Sequence, residues 1–267
     1  MFRTIACGVA ASAMLLLDCY AVEAASETVT ACSINHFCYC VQKDFQDAIT
    51  KEVARLRVVI RKQRGDGKAT GYLSVPLSGV GGSYFPLNVR IAATTKEAVE
   101  HRFGNRSAFV LNPGADDISL PKGASQADYL FMWTQILEGE TGRGEDFDFV
   151  YFVGPSDFGK YFGLDGRGDM MKLERWYDDA VTFDAGLKKV DRSAFRTYYA
   201  LRASGAYSVG AHDEWNVVRA IDDARMKSRA DYGIQRQLGI LFDGKAIPPG
   251  VFETQSTPGN AATCDTK

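Results

Sequence analysis

The chain has 267 residues, 46% of them apolar, which is enough for one sizeable domain with its own core. A formal charge of −2 excludes the basic excess that a nucleic-acid or anionic-membrane surface requires. After the amino-terminal segment, no stretch approaches the roughly 18 uninterrupted apolar residues of a membrane span.

Residues 1–24 read as a secretory signal peptide. Arg3 supplies the positive start, Ile5 to Leu17 an apolar run, and Val22-Glu23-Ala24 the small residues of a cleavage site after Ala24. Cys19 follows Asp18, where a lipoprotein site needs a small residue. The expected location is therefore secreted or periplasmic. The mature chain keeps Cys32, Cys38, Cys40 and Cys264, an even number suited to an oxidising compartment. His36 among them leaves a metal site open, but export favours disulfides. If all four pair, at least one bridge joins the two ends, a closure of about 4–5 kcal/mol in the chain-entropy model.

Residues 25–70 form a cysteine-containing segment followed by an amphipathic helix. Phe45, Ile49, Val53, Leu56 and Ile60 recur at three- and four-residue steps, predicting a helix over Val41–Gln63 that ends at Arg64-Gly65-Asp66-Gly67. This stripe packs on the domain or serves self-association, so homo-oligomerisation stays open. From residue 71 to 250 strands and helices alternate. Strands are expected at Gly71–Leu77, Ala108–Leu111, Phe147–Gly154 and Ile234–Phe242, the last ending at Asp243-Gly244. Helices are expected at Leu87–Arg102, Ser125–Glu138 and from Glu214 to about Lys227. The order predicts an α/β fold: a mostly parallel, doubly wound sheet with helices on both faces and disulfide-stapled termini. Residues 155–207 break the rhythm with two helical stretches, Asp169–Thr182 and Arg192–Ala206. They read as a helical insertion, either capping the strand ends or packing on a sheet edge. Residues 251–267 form a polar tail.

The candidate chemistry is acidic. Glu214, behind the entry Ser208-Val209-Gly210-Ala211-His212-Asp213, is expected in the first turn of its helix, where the dipole keeps a carboxylate ionised. It serves either as a nucleophile or, like Asp213, as a capping acid. Asp128 opens the helix after Asn112-Pro113-Gly114 and is either a second site acid or a helix-start acid. Tyr72, Ser74 and Ser78 offer hydroxyls to a ligand, Gly79 to Ser83 offer backbone amides, and His212 offers an acid or base. Neither G-x-G-x-x-G nor a P-loop lysine is present, and no metal or hydrolase motif accompanies the three histidines. No cofactor or metal is expected.

Five motifs in order resemble the nucleoside 2-deoxyribosyltransferase-like proteins and their nucleotide N-glycosidase relatives. They are Tyr72-Leu73-Ser74-Val75-Pro76-Leu77-Ser78-Gly79, Val110-Leu111-Asn112-Pro113, Asp128-Tyr129, Asp148-Phe149-Val150-Tyr151, and Ser208 with Gly210, Ala211 and Glu214. The resemblance implies Glu214 as the nucleophile at C1′, Asp128 in binding or catalysis, and Tyr72, Ser78 and Gly79 lining a pocket, with Ser74, Asn112 and His212 as further binding candidates. The expected function is an exported enzyme that cleaves or transfers the N-glycosidic bond of a nucleoside, nucleotide or NAD-like substrate. The alternatives are a non-catalytic exported binding module and a structural envelope protein.

Overall fold

A computed structural model of the protein describes residues 27–232, 237–247 and 264. The segment expected to be a signal peptide, the start of the strand expected from Ile234 and nearly all of the polar tail lie outside them. No helix among the described residues is long and apolar enough to cross a membrane.

The fold is mixed α/β. Strands β3 (Ala69–Ser74), β4 (Ala108–Leu111), β5 (Phe149–Phe152) and β6 (Gly239–Phe242) pair in parallel in the order β4-β3-β5-β6. β7 (Lys245–Ala246) closes the edge antiparallel to β6. Asp243 and Gly244, at φ 51° and 77°, make the two-residue turn between them, a conformation that suits this dipeptide. Every residue of β5 is buried, as a central strand covered on both faces must be.

Alternation along the strands builds two cores. Tyr72, Leu111, Val150, Phe152 and Ile240 face one side, with Ile49, Val53, Leu56 and Ile60 of α1 (Gln46–Gly65), Met132 and Ile136 of α3 (Gln126–Glu138), and Val217, Val218 and Ile221 of α7 (Val209–Tyr232). Leu73, Val110, Tyr151 and Val153 face the other, with Leu87 and Ile91 of α2 (Phe85–Phe103). The insertion shares that second core through Phe158 of α4 (Pro155–Phe162), Leu173 and Tyr177 of α5 (Asp169–Ala180), and Phe195 and Tyr199 of α6 (Arg192–Leu201). The α1 stripe is thus consumed internally.

Because α2 leaves β3 on one face and α7 packs on the other, the carboxyl ends of β3 and β5 bound a switch point of the doubly wound kind, where such folds bind ligands. The insertion leans on the loop after β3. The Tyr84 amide donates to the Tyr199 hydroxyl at 3.0 Å, and Gly82, at φ 100°, faces the Ala194 carbonyl so closely that a Cβ would collide with it.

Several elements differ from the sequence expectation, among them α4, which gives the insertion a third helix. Val41 lies in a strand, because residues 28–42 form an antiparallel hairpin, β1 (Thr28–Cys32) and β2 (Cys38–Gln42), and α1 starts later, at Gln46. The last crossover helix starts earlier than expected, at Val209. The hairpin lies along α3, whose two acids hold its ends. Asp128 accepts from the Gln42 amide at 2.8 Å, and Glu138 accepts from the Ser33 hydroxyl and the Ile34 and Asn35 amides at 2.8, 3.0 and 3.2 Å.

Cys32 bonds Cys38 across the hairpin, and Cys40 bonds Cys264. The first closes a separation of 6 residues and the second one of 224. Loop-closure entropy then sets their ranking. Cys264→Ser is expected to lower unfolding free energy by about 5 kcal/mol and Cys32→Ser by about 2 kcal/mol. Urea unfolding of the oxidised proteins checks the order, and equal losses would show that strand contacts rather than ring size decide it.

Candidate active site

Glu214 is the sixth residue of α7 and lies in its second turn, not at its start. Ser208 precedes the helix and accepts from the Ala211 amide at 3.3 Å. Ala211, Trp215 and Val218 then recur on one buried stripe, with buried Val217 and Ile221 and half-buried Glu214 beside it. A carboxylate in that register is turned toward the sheet.

Two hydroxyls meet it there. Tyr72 and Ser74 share one face of β3 because side chains alternate along a strand. The Tyr72 hydroxyl donates to Glu214 Oε1, and Ser74 Oγ donates to Oε2 at 2.5 Å. The Tyr72 ring is fully buried and meets Trp133 and Phe147 edge-on, with centroids 5.9 and 6.0 Å away, which fixes the direction of its hydroxyl. Ser74 closes β3 and pairs with Phe152 of β5, so the carboxylate sits at the switch point.

Burial raises the Glu214 carboxyl to about 7, against the pull of the Ser74 and Tyr72 bonds, and the Asp213 charge adds to the rise. The dipole was expected to keep this acid ionised. Its influence fades beyond the first turn, and loss of water outweighs it. Burial also lifts the Tyr72 phenol well above its ordinary value, helped by the neighbouring Glu214 charge.

Asp213 is not a capping acid. It is 2% exposed and neither carboxylate oxygen has a hydrogen-bond partner among the described residues, so burial raises it to about 6 while the His212 charge pulls the other way. Its field reaches Tyr39 of β2, whose hydroxyl pairs with Thr134 Oγ1 at 2.9 Å. His212 Nε2 lies 2.8 Å from the Ala206 carbonyl. A carbonyl only accepts, so Nε2 carries the proton and the imidazole anchors the chain leaving the insertion.

The remaining sequence candidates are placed elsewhere. Asp128 is fully buried and forms a capping box with Ser125, whose amide and hydroxyl both reach Oδ2 at 2.7 Å while Oδ1 holds Gln42. It makes no hydrogen bond with Glu214. The Asn112 side chain accepts from the Gly114 amide at 2.9 Å and shapes the turn after β4. Ser78 and Gly79 are exposed, and the Ser78 carbonyl takes the Ser83 hydroxyl. Asp148 of the D-x-V-Y motif binds the Thr70 amide at 2.8 Å, at the opposite end of β3 from Ser74. A separate hollow of about 250 Å³ lies between the hairpin tip and the end of α3, lined among others by Arg57, Gln135 and Glu138. There the Arg57 guanidinium bonds the Gln135 and Gly139 carbonyls and closes the helix end.

Sequence reasoning placed Glu214, Tyr72 and Ser74 among the candidates, and the fold brings these three together. It read Asp213 as a capping acid, which the structure corrects, and it overlooked Tyr39 of the hairpin. Running the stripe back from Val218 through Trp215 to Ala211 was the signal that both acids lie within a packed helix.

Asp213 gives a stability test with a defined sign. Its folded pKa is raised, so its contribution is intact below about 4 and is lost as pH rises from there to about 6. Asp213→Asn is expected to match the parent near pH 4 and to exceed it above pH 6 by up to about 3 kcal/mol, the equivalent of two pKa units. Chemical denaturation at both pH values measures this, and a variant that is weaker at high pH would refute the buried bare charge. No protein-family model, no curated protein and no solved structure matches the chain, so the reading of the site rests on its own residues.

Proposed function

We propose that the protein is an exported enzyme that cleaves or transfers an N-glycosidic bond through Glu214. The observation that carries this reading is the meeting of Tyr72 and Glu214, 142 residues apart in sequence, with Ser74 completing the clamp at the carboxyl end of β3. These residues belong to the first and last of the motifs shared with the deoxyribosyltransferase-like proteins.

The chemistry follows from the clamp. Cleavage of an N-glycosidic bond develops positive charge at C1′, which a fixed carboxylate stabilises, as in retaining glycosidases. A Glu214 oxygen forms a bond to C1′ as the C1′–N bond breaks, and the bonding pair leaves with the base nitrogen, which takes a proton from solvent. Water or an acceptor hydroxyl then attacks C1′, loses its proton to solvent and returns Glu214 as the carboxylate. Two hydroxyl donors hold the attacking group in one orientation before substrate arrives, which lowers the ordering needed in the transition state.

A second reading, a binding module without turnover, draws on Asp128. Its carboxylate is taken by Ser125 and Gln42, so a second free acid does not come from that position.

The pH profile tests the nucleophile. Only ionised Glu214 attacks, so kcat/KM for base release should rise with pH through about 7 and then level off. Glu214→Gln should lose at least about 1,000-fold. Ser74→Ala removes a donor to the ionised form and should move the rising limb to higher pH. Nucleosides, nucleotides and NAD are the substrates to supply, with free base followed by chromatography. Full activity in Glu214→Gln would end the proposal, and ligand binding without released base would favour the second reading.

A further inference from the structure

The hollow between the hairpin tip and the end of α3 holds about 250 Å³. That is room for about eight waters, or for one small molecule of similar bulk. Its walls come from Cys32 and Ser33 of the hairpin, Arg57 of α1, and Glu138 and Glu140 at the end of α3. Most polar groups there are already committed. Glu138 accepts its three bonds from the hairpin, and Glu140 pairs with Arg61 at 2.8 Å. Arg57 Nη2 serves the Gln135 and Gly139 carbonyls at 2.9 and 2.7 Å. Arg57 Nε is the exception: it is buried and has no hydrogen-bond partner among the described residues. A guanidinium N–H left bare is costly, so an occupant of the hollow has to bring an acceptor, and a carboxylate suits a guanidinium best.

The same hollow reaches a disulfide. Cys32 is exposed, whereas Cys38, Cys40 and Cys264 are half-buried. Thiol–disulfide exchange starts at an accessible sulfur, so an incoming thiolate meets the Cys32–Cys38 bond at Cys32. Strand register sets Cys38 directly opposite Cys32, which keeps the released sulfur beside the new adduct and makes the exchange reversible.

We propose that this hollow binds a small thiol that carries a carboxylate, seated on Arg57 and exchanging with the Cys32–Cys38 disulfide. The ligand thiolate forms a bond to Cys32 Sγ as the Sγ–Sγ bond breaks, and the bonding pair leaves on Cys38 Sγ, which takes a proton from solvent. One disulfide is opened and one mixed disulfide is formed, so no further oxidant or reductant enters. The site shares no residue with the Glu214 clamp and stands apart from the glycosidic reading.

The test exposes the oxidised full mature chain to mercaptopropionate or mercaptoethanol at equal thiolate concentration, quenches in acid and maps the adducts by mass spectrometry. Mercaptopropionate is expected to modify Cys32 at least about tenfold faster than mercaptoethanol does, because only it brings a carboxylate to the guanidinium. Equal rates overturn the proposal, as do adducts gathered on Cys40 or Cys264, or no adduct at all. In a folded Arg57→Gln variant the preference should vanish, and an unchanged preference overturns the role given to Arg57. Since Arg57 also closes the end of α3, competition in the parent chain supplies a second measure. Propionate should slow the mercaptopropionate reaction to a saturating limit, and a rate that does not respond to propionate overturns the binding site.

Discussion

The double hydrogen bond from Tyr72 and Ser74 to Glu214 joins the first strand of the sheet to its last crossover helix. An acid placed in an apolar stripe is unstable there unless its lone pairs are met, and two hydroxyls of one strand meet them. The clamp therefore has two effects. It makes a carboxylate tolerable between α7 and β3, and it keeps that carboxylate near neutrality, where it changes charge under mild conditions. Perturbed acids at strand ends of α/β sheets commonly mark functional sites, and here geometry and charge coincide.

The helix beside it shows how one element can serve two purposes. Through Asp128 and Glu138, α3 carries the stapled hairpin on its outer side, while Trp133 and Met132 pack inward with Tyr72 in the core. The hairpin thus reaches the neighbourhood of the acids indirectly, through Tyr39 and its partner Thr134. The insertion reaches it from the other face, since the Gly205 amide bonds the Val153 carbonyl at 2.8 Å and His212 pins Ala206. Two peripheral additions converge on one turn of α7.

Much of this arrangement was readable in the residues. Phe149 to Phe152 admit no polar face, so a central strand follows, and Asp243-Gly244 signals a tight turn. The parallel order could be inferred from alternation alone. The hairpin could not. Its strands are short and half exposed, and what holds them is tertiary: two bridges and two acids on α3. The start of α7 was misplaced because Val209 and Gly210 are poor helix formers, yet burial of Ala211 draws that turn into the helix. Asp128 is the instructive case. Ser125-Gln126-Ala127-Asp128 spells a capping box, and that local pattern describes what its carboxylate does more directly than position near the strand ends.

The bond between Cys40 and Cys264 turns nearly the whole sheet domain into a covalent ring. A protease that cuts once anywhere between these two cysteines opens the ring without releasing a fragment. The nicked molecule keeps its mass until a reductant arrives. Cleavage and loss of material thus become separate chemical events, the second governed by thiols rather than by peptidases.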